Sequence, residues 1–227
     1  MSSSNYIYKL NNEHGNIDTS FNYFLKFKID KDAQILDLGC GYGSLVYNIF
    51  CKGYNNIYGI DINEDRIKTS YKHYNVLKSN ILHYPGNTIP FKNNKFDVIL
   101  CFDVLEHIRN INNFLRNEVV RTMKTNALFI FSTPNKYINI PWEIINRKSF
   151  TEYRKYHCSL QNIRSLKKIL EYAGFKDIII EKNSIITTHN KNKVNKKLGA
   201  TGPLLLYLLQ MMPLPLFPNF WGSCRKA

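Results

Sequence analysis

The chain has 227 residues, 31 Lys or Arg against 17 Asp or Glu, a net charge of +14 and 44% hydrophobic residues, which suits one α/β domain with a large core. No apolar run reaches the ~20 residues of a membrane span, and the start Met1-Ser2-Ser3-Ser4-Asn5 lacks the basic-then-apolar pattern of a secretory signal. Five scattered cysteines without a C-x-x-C pair argue against structural zinc or a disulfide framework and for a reducing cytoplasm, while the positive charge favours an anionic partner (nucleic acid, membrane face or acidic metabolite) or simply reflects lysines on solvated faces.

Residues 1–33 read as an entry segment with a helix near Phe21–Phe27 and a turn at Asp30-Lys31-Asp32. Strands are expected near 34–38, 56–61, 75–79, 95–101, 127–132, 176–182 and 220–226, and helices near 43–52, 63–73, 110–123 and 159–173. This alternation predicts a Rossmann-like, doubly wound, mostly parallel seven-stranded sheet with helices on both faces, a single domain over the whole chain. Residues 80–94 hold Pro85, Gly86 and Pro90, so that crossover reads as irregular. Ser159 is placed as the cap of the last helix and Gly174 as its end, with Leu160, Ile163, Leu166, Ile169 and Leu170 on one face. Two stretches, 136–156 and 183–219, are long for connections and read as insertions covering an acceptor. The second begins basic at Lys191, Lys193, Lys196 and Lys197 and turns apolar over Leu204–Met212, which reads as a core helix, a lid or a membrane-surface segment.

The most informative stretch is Ile35-Leu36-Asp37-Leu38-Gly39-Cys40-Gly41-Tyr42-Gly43, an apolar strand entering a turn with alternate glycines that feeds a helix. Such a turn sets backbone N–H groups and a positive helix end at the carboxyl edge of a sheet, where open α/β sheets bind nucleotides. Eighteen positions after Gly43, Asp61 ends a second apolar run and can accept both hydroxyls of a ribose. The third glycine comes one residue early for the G-x-G-x-x-G dinucleotide pattern, which argues against a pyrophosphate ligand.

This segment resembles motif I of class I S-adenosylmethionine-dependent methyltransferases. Phe96–Ile108 is similar to the family's fourth strand and its "EVLEHI" continuation, Asn126–Asn135 to the fifth strand ending in "STPN", and His157–Phe175 to the late "H…AGF" helix. The likeness covers roughly 33–182 and is nearest the small-molecule branch that includes ubiquinone-biosynthesis O-methyltransferases. It implies S-adenosyl-L-methionine as cofactor, with Asp37, Gly39, Cys40, Gly41, Gly43, Asp61, Ile62, Asn80 and Phe102 around it. Two departures are visible: Lys124-Thr125-Asn126-Ala127 replaces a Pro-Gly-Gly turn, and Ser79-Asn80 replaces Gly-Asp, with Asn80 able to bond an adenine edge.

Methyl transfer aligns an acceptor lone pair about 3 Å from the sulfonium methyl and excludes water. An oxygen acceptor also benefits from a base, and His107 and His157 are the candidates. Trp142, Tyr153 and Tyr156 are the candidate acceptor walls. Asp103, Glu106 and His107 form a D-x-x-E-H cluster similar to an E-x-x-E-H cluster associated with a divalent ion in the ubiquinone-pathway relatives, but the reading here is that no metal is needed. The expected function is therefore methyl transfer to an oxygen of a small-molecule, glycan or lipid-linked acceptor, anionic or membrane-borne, by a cytoplasmic or peripheral membrane enzyme. The alternatives are an RNA methyltransferase, disfavoured because strand four lacks N/D-P-P-Y/F and no appended RNA-binding module is visible, and a non-catalytic cofactor-binding protein.

Overall fold

The computed structural model describes residues 17–227, so the first half of the entry segment, residues 1–16, lies outside the described residues. Helix α1 (Ile17–Phe24) starts earlier than its apolar pattern suggested and buries Tyr23 and Phe24. Strand β1 (Ile35–Leu38), helix α2 (Ser44–Cys51), strand β2 (Ile57–Asp61) and helix α3 (Glu64–His73) follow, α3 being capped by Asn63, whose side chain accepts from the Arg66 N–H.

The third strand is not at 75–79. Asn75–Leu77 is a 3₁₀ turn that buries Leu77 and exposes Val76, and β3 is the short segment Ile81–His83. Of Asn75-Val76-Leu77-Lys78-Ser79 only Leu77 is buried, and it is held by that turn, whereas Ile81 is the residue whose backbone aligns with Gly59 of β2. Strand β4 (Phe96–Phe102) leads into α4, which runs Ile111–Phe114, a π-helical stretch Leu115–Val119 and Val120–Thr122. Strand β5 (Met123–Pro134) carries a register shift against β4 where Asn126 takes φ 59°, the left-handed turn expected of Asn at this place.

Helix α5 (Lys136–Arg147) and the short α6 (Tyr153–Tyr156) form the first insertion, and α7 (Ile163–Ala173) the last helix of the frame. Ser159 is not its cap. Asn162 and Ser165 form a capping box, and Ser159 is buried with its N–H donated to the Glu106 carbonyl. Gly174 ends α7 at φ 100°. Strand β6 (Phe175–Glu181) precedes the second insertion, α8 (Thr188–Leu198) and α9 (Gly202–Met211), and β7 (Asn219–Lys226) closes the fold.

The sheet order is β3-β2-β1-β4-β5-β7-β6, parallel except for β7, which pairs antiparallel with β5 and β6. Chain order reverses between β1 and β4, so the crevice at their carboxyl ends is the switch point where such sheets bind ligands. One face packs α4 and α7 through Leu115, Leu166 and Leu170, and the other packs α1 and α2 through Phe24, Val46 and Ile49. Each such side chain contributes about 1.5–3 kcal/mol by leaving water. Both insertions spring from the carboxyl edge. Asn135, fully buried, joins them there: its Nδ2 donates to the carbonyls of Pro215 and Phe217, and its Oδ1 accepts from the Tyr137 N–H at the start of α5.

Candidate active site

A cavity of about 870 Å³ opens at the carboxyl edge, lined among others by Gly39, Asp61, Ile62, Arg66, Tyr84, Asp103, His107, Asn113, Asn117 and Tyr156. Of the glycine turn, Gly39 lines it. A Cβ on Gly39 would sit 2.3 Å from Val104 Cγ2, and one on Gly43 2.5 Å from Ile81 Cδ1, so the protein's own packing excludes larger residues at both. Gly41 differs. At φ +55° a Cβ there would meet nothing within 4 Å, so what a side chain would occupy is open space beside a half-buried backbone.

Asp61, nearly buried, holds this turn. Its Oδ2 accepts from the Gly41 N–H at 2.9 Å and its Oδ1 from the Asn63 N–H at 2.8 Å, which fixes the carboxylate while leaving further lone pairs for hydroxyl donors. Asp37 lies beneath, its carboxyl pushed up to about 7 by burial and then by the Asp61 charge. Two acids so placed give the site a negative potential suited to a cationic ligand. Cys40 is buried against Gly59, and Phe102 packs on Trp221 with ring centroids 5.5 Å apart, so both support the turn and strand end without lining the cavity.

Asn80 belongs to the other end of the sheet. It precedes β3, and its Nδ2 donates to the carbonyl of Ile57 at the start of β2, so it cannot meet a base at the carboxyl edge. The third-strand misreading caused this error: the residues at the carboxyl end of β3 are His83 and Tyr84, and Tyr84 lines the cavity.

The chemistry gathers after β4. Asp103 takes φ 55°, accepts from Ser132 Oγ at 2.8 Å and donates its N–H to the Ser132 carbonyl. A non-glycine residue in this region stores strain of order 1–3 kcal/mol, a common mark of a functional turn. Glu106 is buried, its Oε2 accepting from Thr133 Oγ1 at 3.1 Å, and burial followed by the Asp103 charge pushes its carboxyl up to about 8. His107 donates Nδ1–H to the Tyr156 carbonyl at 2.6 Å, so in the neutral ring Nε2 carries the lone pair, 3.8 Å from Glu106 Oε1. His157 arrives from the end of α6, its ring 5.1 Å from that of His107 and its Nδ1 3.0 Å from Asn139 Oδ1. Burial and the neighbouring His107 hold it below the usual histidine range, so it is neutral at pH 7.

The D-x-x-E-H grouping therefore does not act as one set. Asp103 is turned to Ser132, and His157 replaces it: Glu106, His107 and His157 place one ligand atom each within 4.8 Å of one another. A carboxylate and two imidazoles, each imidazole oriented by an oxygen on its other nitrogen, form a donor set that fits a divalent cation.

Of the expected acceptor walls, Tyr156 lines the cavity and stacks beneath Arg147 at 4.2 Å, whereas Trp142 and Tyr153 stand outside the lining on α5 and α6. Sequence reading missed Arg66, Tyr84 and the Asn110-Asn113-Asn117 stripe. That stripe had a signal, since positions three and four apart share a helix face. The π-helical stretch containing Asn117 had none.

Comparisons with known proteins agree with this geometry. A family model described as a methyltransferase domain matches residues 12–179. An uncharacterized protein of Methanocaldococcus jannaschii is 35% identical over 162 residues, 70% of this chain and 61% of its own length. Ubiquinone biosynthesis O-methyltransferase of Rickettsia bellii is 36% identical over 109 residues, 46% of this chain and 43% of its own. The chain thus spans less than two thirds of either relative. A putative methyltransferase of Haloferax volcanii, solved in complex with the Trm112 methyltransferase activator, superposes with a TM-score of 0.74 at 12% identity over 97% of this chain and 93% of that one. Phosphoethanolamine N-methyltransferase 2 of Haemonchus contortus, solved with S-adenosylhomocysteine, gives 0.65 at 16% identity over 92% of this chain and 53% of that one. The chain belongs to the methyltransferase-domain family, whose methyl donor is S-adenosylmethionine.

Proposed function

We propose that this chain transfers the methyl group of S-adenosylmethionine to an oxygen of a small-molecule, glycan-linked or lipid-linked acceptor. The observation that carries the oxygen acceptor is His107: it lines the same cavity as Gly39 and Asp61, and its Nε2 lone pair is held free by the Nδ1–H bond to Tyr156. Asp61 accepts the ribose hydroxyls, the open backbone at Gly41 lets the donor approach, and Asp37 with Asp61 balances the donor's positive charge. His107 then takes the hydroxyl proton as the oxygen attacks the methyl in line, the methyl–sulfur bond breaking with its electron pair returning to sulfur so that S-adenosylhomocysteine leaves. His157, neutral beside it, keeps the neighbouring imidazole from sharing its site with a second cation. Tyr156 walls the acceptor side, and α5 and α6, with Trp142 and Tyr153, cover it and exclude water.

The 4.8 Å convergence of Glu106, His107 and His157 favours a second reading, in which these three hold a divalent cation and His107 is a ligand rather than the base. Such an ion would supply Lewis acidity toward an acceptor oxygen. Chelation separates the two: transfer that survives chelator belongs to the base, and transfer lost on chelation and restored by Mg²⁺, Mn²⁺ or Zn²⁺ belongs to the ion.

The deciding experiment uses donor with a deuterated methyl group and panels of phenolic, glycan and lipid-linked hydroxyl acceptors, with total RNA as comparator, read by mass spectrometry. Label on a hydroxyl oxygen supports the reading. Label on RNA moves it to the nucleic-acid alternative, and donor binding without transfer to any panel moves it to a cofactor-binding protein. His107→Ala should lower kcat by ~10²–10⁴ while donor affinity holds.

A further inference from the structure

Helix α9 is apolar on all sides, yet only one side is packed. Gly202 and Leu206 are buried, the helix resting on Ile185, Phe217 and Val194 of α8, and a Cβ on Gly202 would lie 2.9 Å from Val194 Cγ1. Its single polar side chain, Gln210, turns inward to accept the Ile185 N–H. The other side presents Leu204, Tyr207, Leu208 and Met211, spaced i, i+3, i+4, i+7, all more than half exposed, and Leu216 continues the patch beyond the helix. A helix hydrophobic all round is ordinarily enclosed by protein or lipid.

Charge names the occupant. Residues 182–212 contain five Lys and no Asp or Glu. Of these, Lys191 and Lys196 stand on α8, packed beside α9; the side chains of Lys193 and Lys197 lie outside the described residues. A second copy meeting the same face would bring two positive surfaces together, which disfavours a dimer. Among the described residues no helix is long and apolar enough to cross a membrane, so the contact is with a surface.

We propose that the outer face of α9, flanked by the lysines of α8, docks on an anionic lipid bilayer. An apolar stripe with a tyrosine at its middle enters the headgroup boundary, and the lysines meet the lipid charge. The insertion leaves and rejoins the sheet at the carboxyl edge, the edge on which the cavity opens, and Asn135 ties its return to the start of α5.

The test is vesicle flotation of the full chain, independent of any methyl-transfer assay. Wild type should float with vesicles containing about a third phosphatidylglycerol and stay behind with pure phosphatidylcholine or in high salt. The triple substitution Leu204→Gln, Leu208→Gln, Met211→Gln should lower flotation at least about tenfold. Lys191→Gln with Lys196→Gln should weaken it several-fold. Unchanged melting and unchanged donor binding would show that the exposed positions leave the fold intact. The proposal is overturned if wild type floats with neither vesicle, if the triple variant floats as wild type does, or if wild type sediments as a dimer that the triple variant dissolves.

Discussion

The turn Gly39–Gly43 and the two insertions share one edge of the sheet but are built in opposite ways. In the turn, Gly39 is packed against Val104, Gly43 against Ile81, and Asp61 is bonded to two backbone N–H groups. In the first insertion, the twelve-residue α5 buries no residue at all, and Ile145 and Phe150 are more than 70% exposed. The second insertion rests on a satellite core of Ile185, Leu206 and Phe217. A turn held on all sides by packing is preorganised for one fixed ligand, whereas segments with so little buried surface belong to the low end of local stability, which suits the acceptor cover proposed for them.

That contrast can be broken from the rigid side first. Gly43→Val should cost the most, about 3 kcal/mol or more, since a left-handed backbone and a 2.5 Å clash with Ile81 act together. Gly41→Val should cost only about 1–2 kcal/mol of backbone strain and, if the open space beside Gly41 receives the donor as proposed, should abolish donor binding. Thermal melts and calorimetry on the pair separate structural from ligand-dictated glycine. In the wild type, donor at ~100 times its dissociation constant should stabilise by about 2.7 kcal/mol, and Asp61→Ala should remove that shift.

A pH series sharpens the same comparison. Asp37 has its carboxyl pushed up to about 7 in the fold, against about 3.9 when unfolded. Between those values the folded state holds the extra proton. The associated stability is therefore complete below pH ~4 and lost as pH rises through 7. The ligand-free melting temperature should fall from pH 5 to pH 8, and fall less in Asp37→Asn. Donor affinity should rise over the same interval, because a cationic ligand favours ionised Asp37. A flat wild-type profile would mean that the carboxyl is already charged.

The smallest effect belongs to the loose side. Ile145→Ser, at a position 71% exposed, should change stability by no more than about 0.5 kcal/mol. If α5 covers the acceptor, the KM for acceptor rises while donor affinity stays fixed. A drop in melting temperature comparable to that of Gly43→Val would show that α5 is packed more firmly than its exposure indicates.

What the sequence determined by itself is whatever rests on neighbours in the chain. The strand-glycine-helix turn, Asp61 at the tip of β2, the left-handed Asn126 and the Gly174 stop each depend on the backbone preferences of a few consecutive residues, and each is where its pattern put it. Local pattern misled where the signal was thin: the expected strand 75–79, with only Val76 and Leu77 apolar, is a 3₁₀ turn, and Asn80 goes with it to the far end of β2. The tertiary structure alone decided the chemistry. Asp103, Glu106 and His107 are adjacent in sequence, but a strained turn sends Asp103 to Ser132, and fifty residues later the chain delivers His157 in its place. Likewise Asn135 clamps carbonyls some eighty positions away, and α9, apolar throughout in sequence, acquires an outer face only because α8, Ile185 and Phe217 cover the other. Spacing along a chain encodes local conformation, whereas convergence of side chains is fixed by which elements pack together.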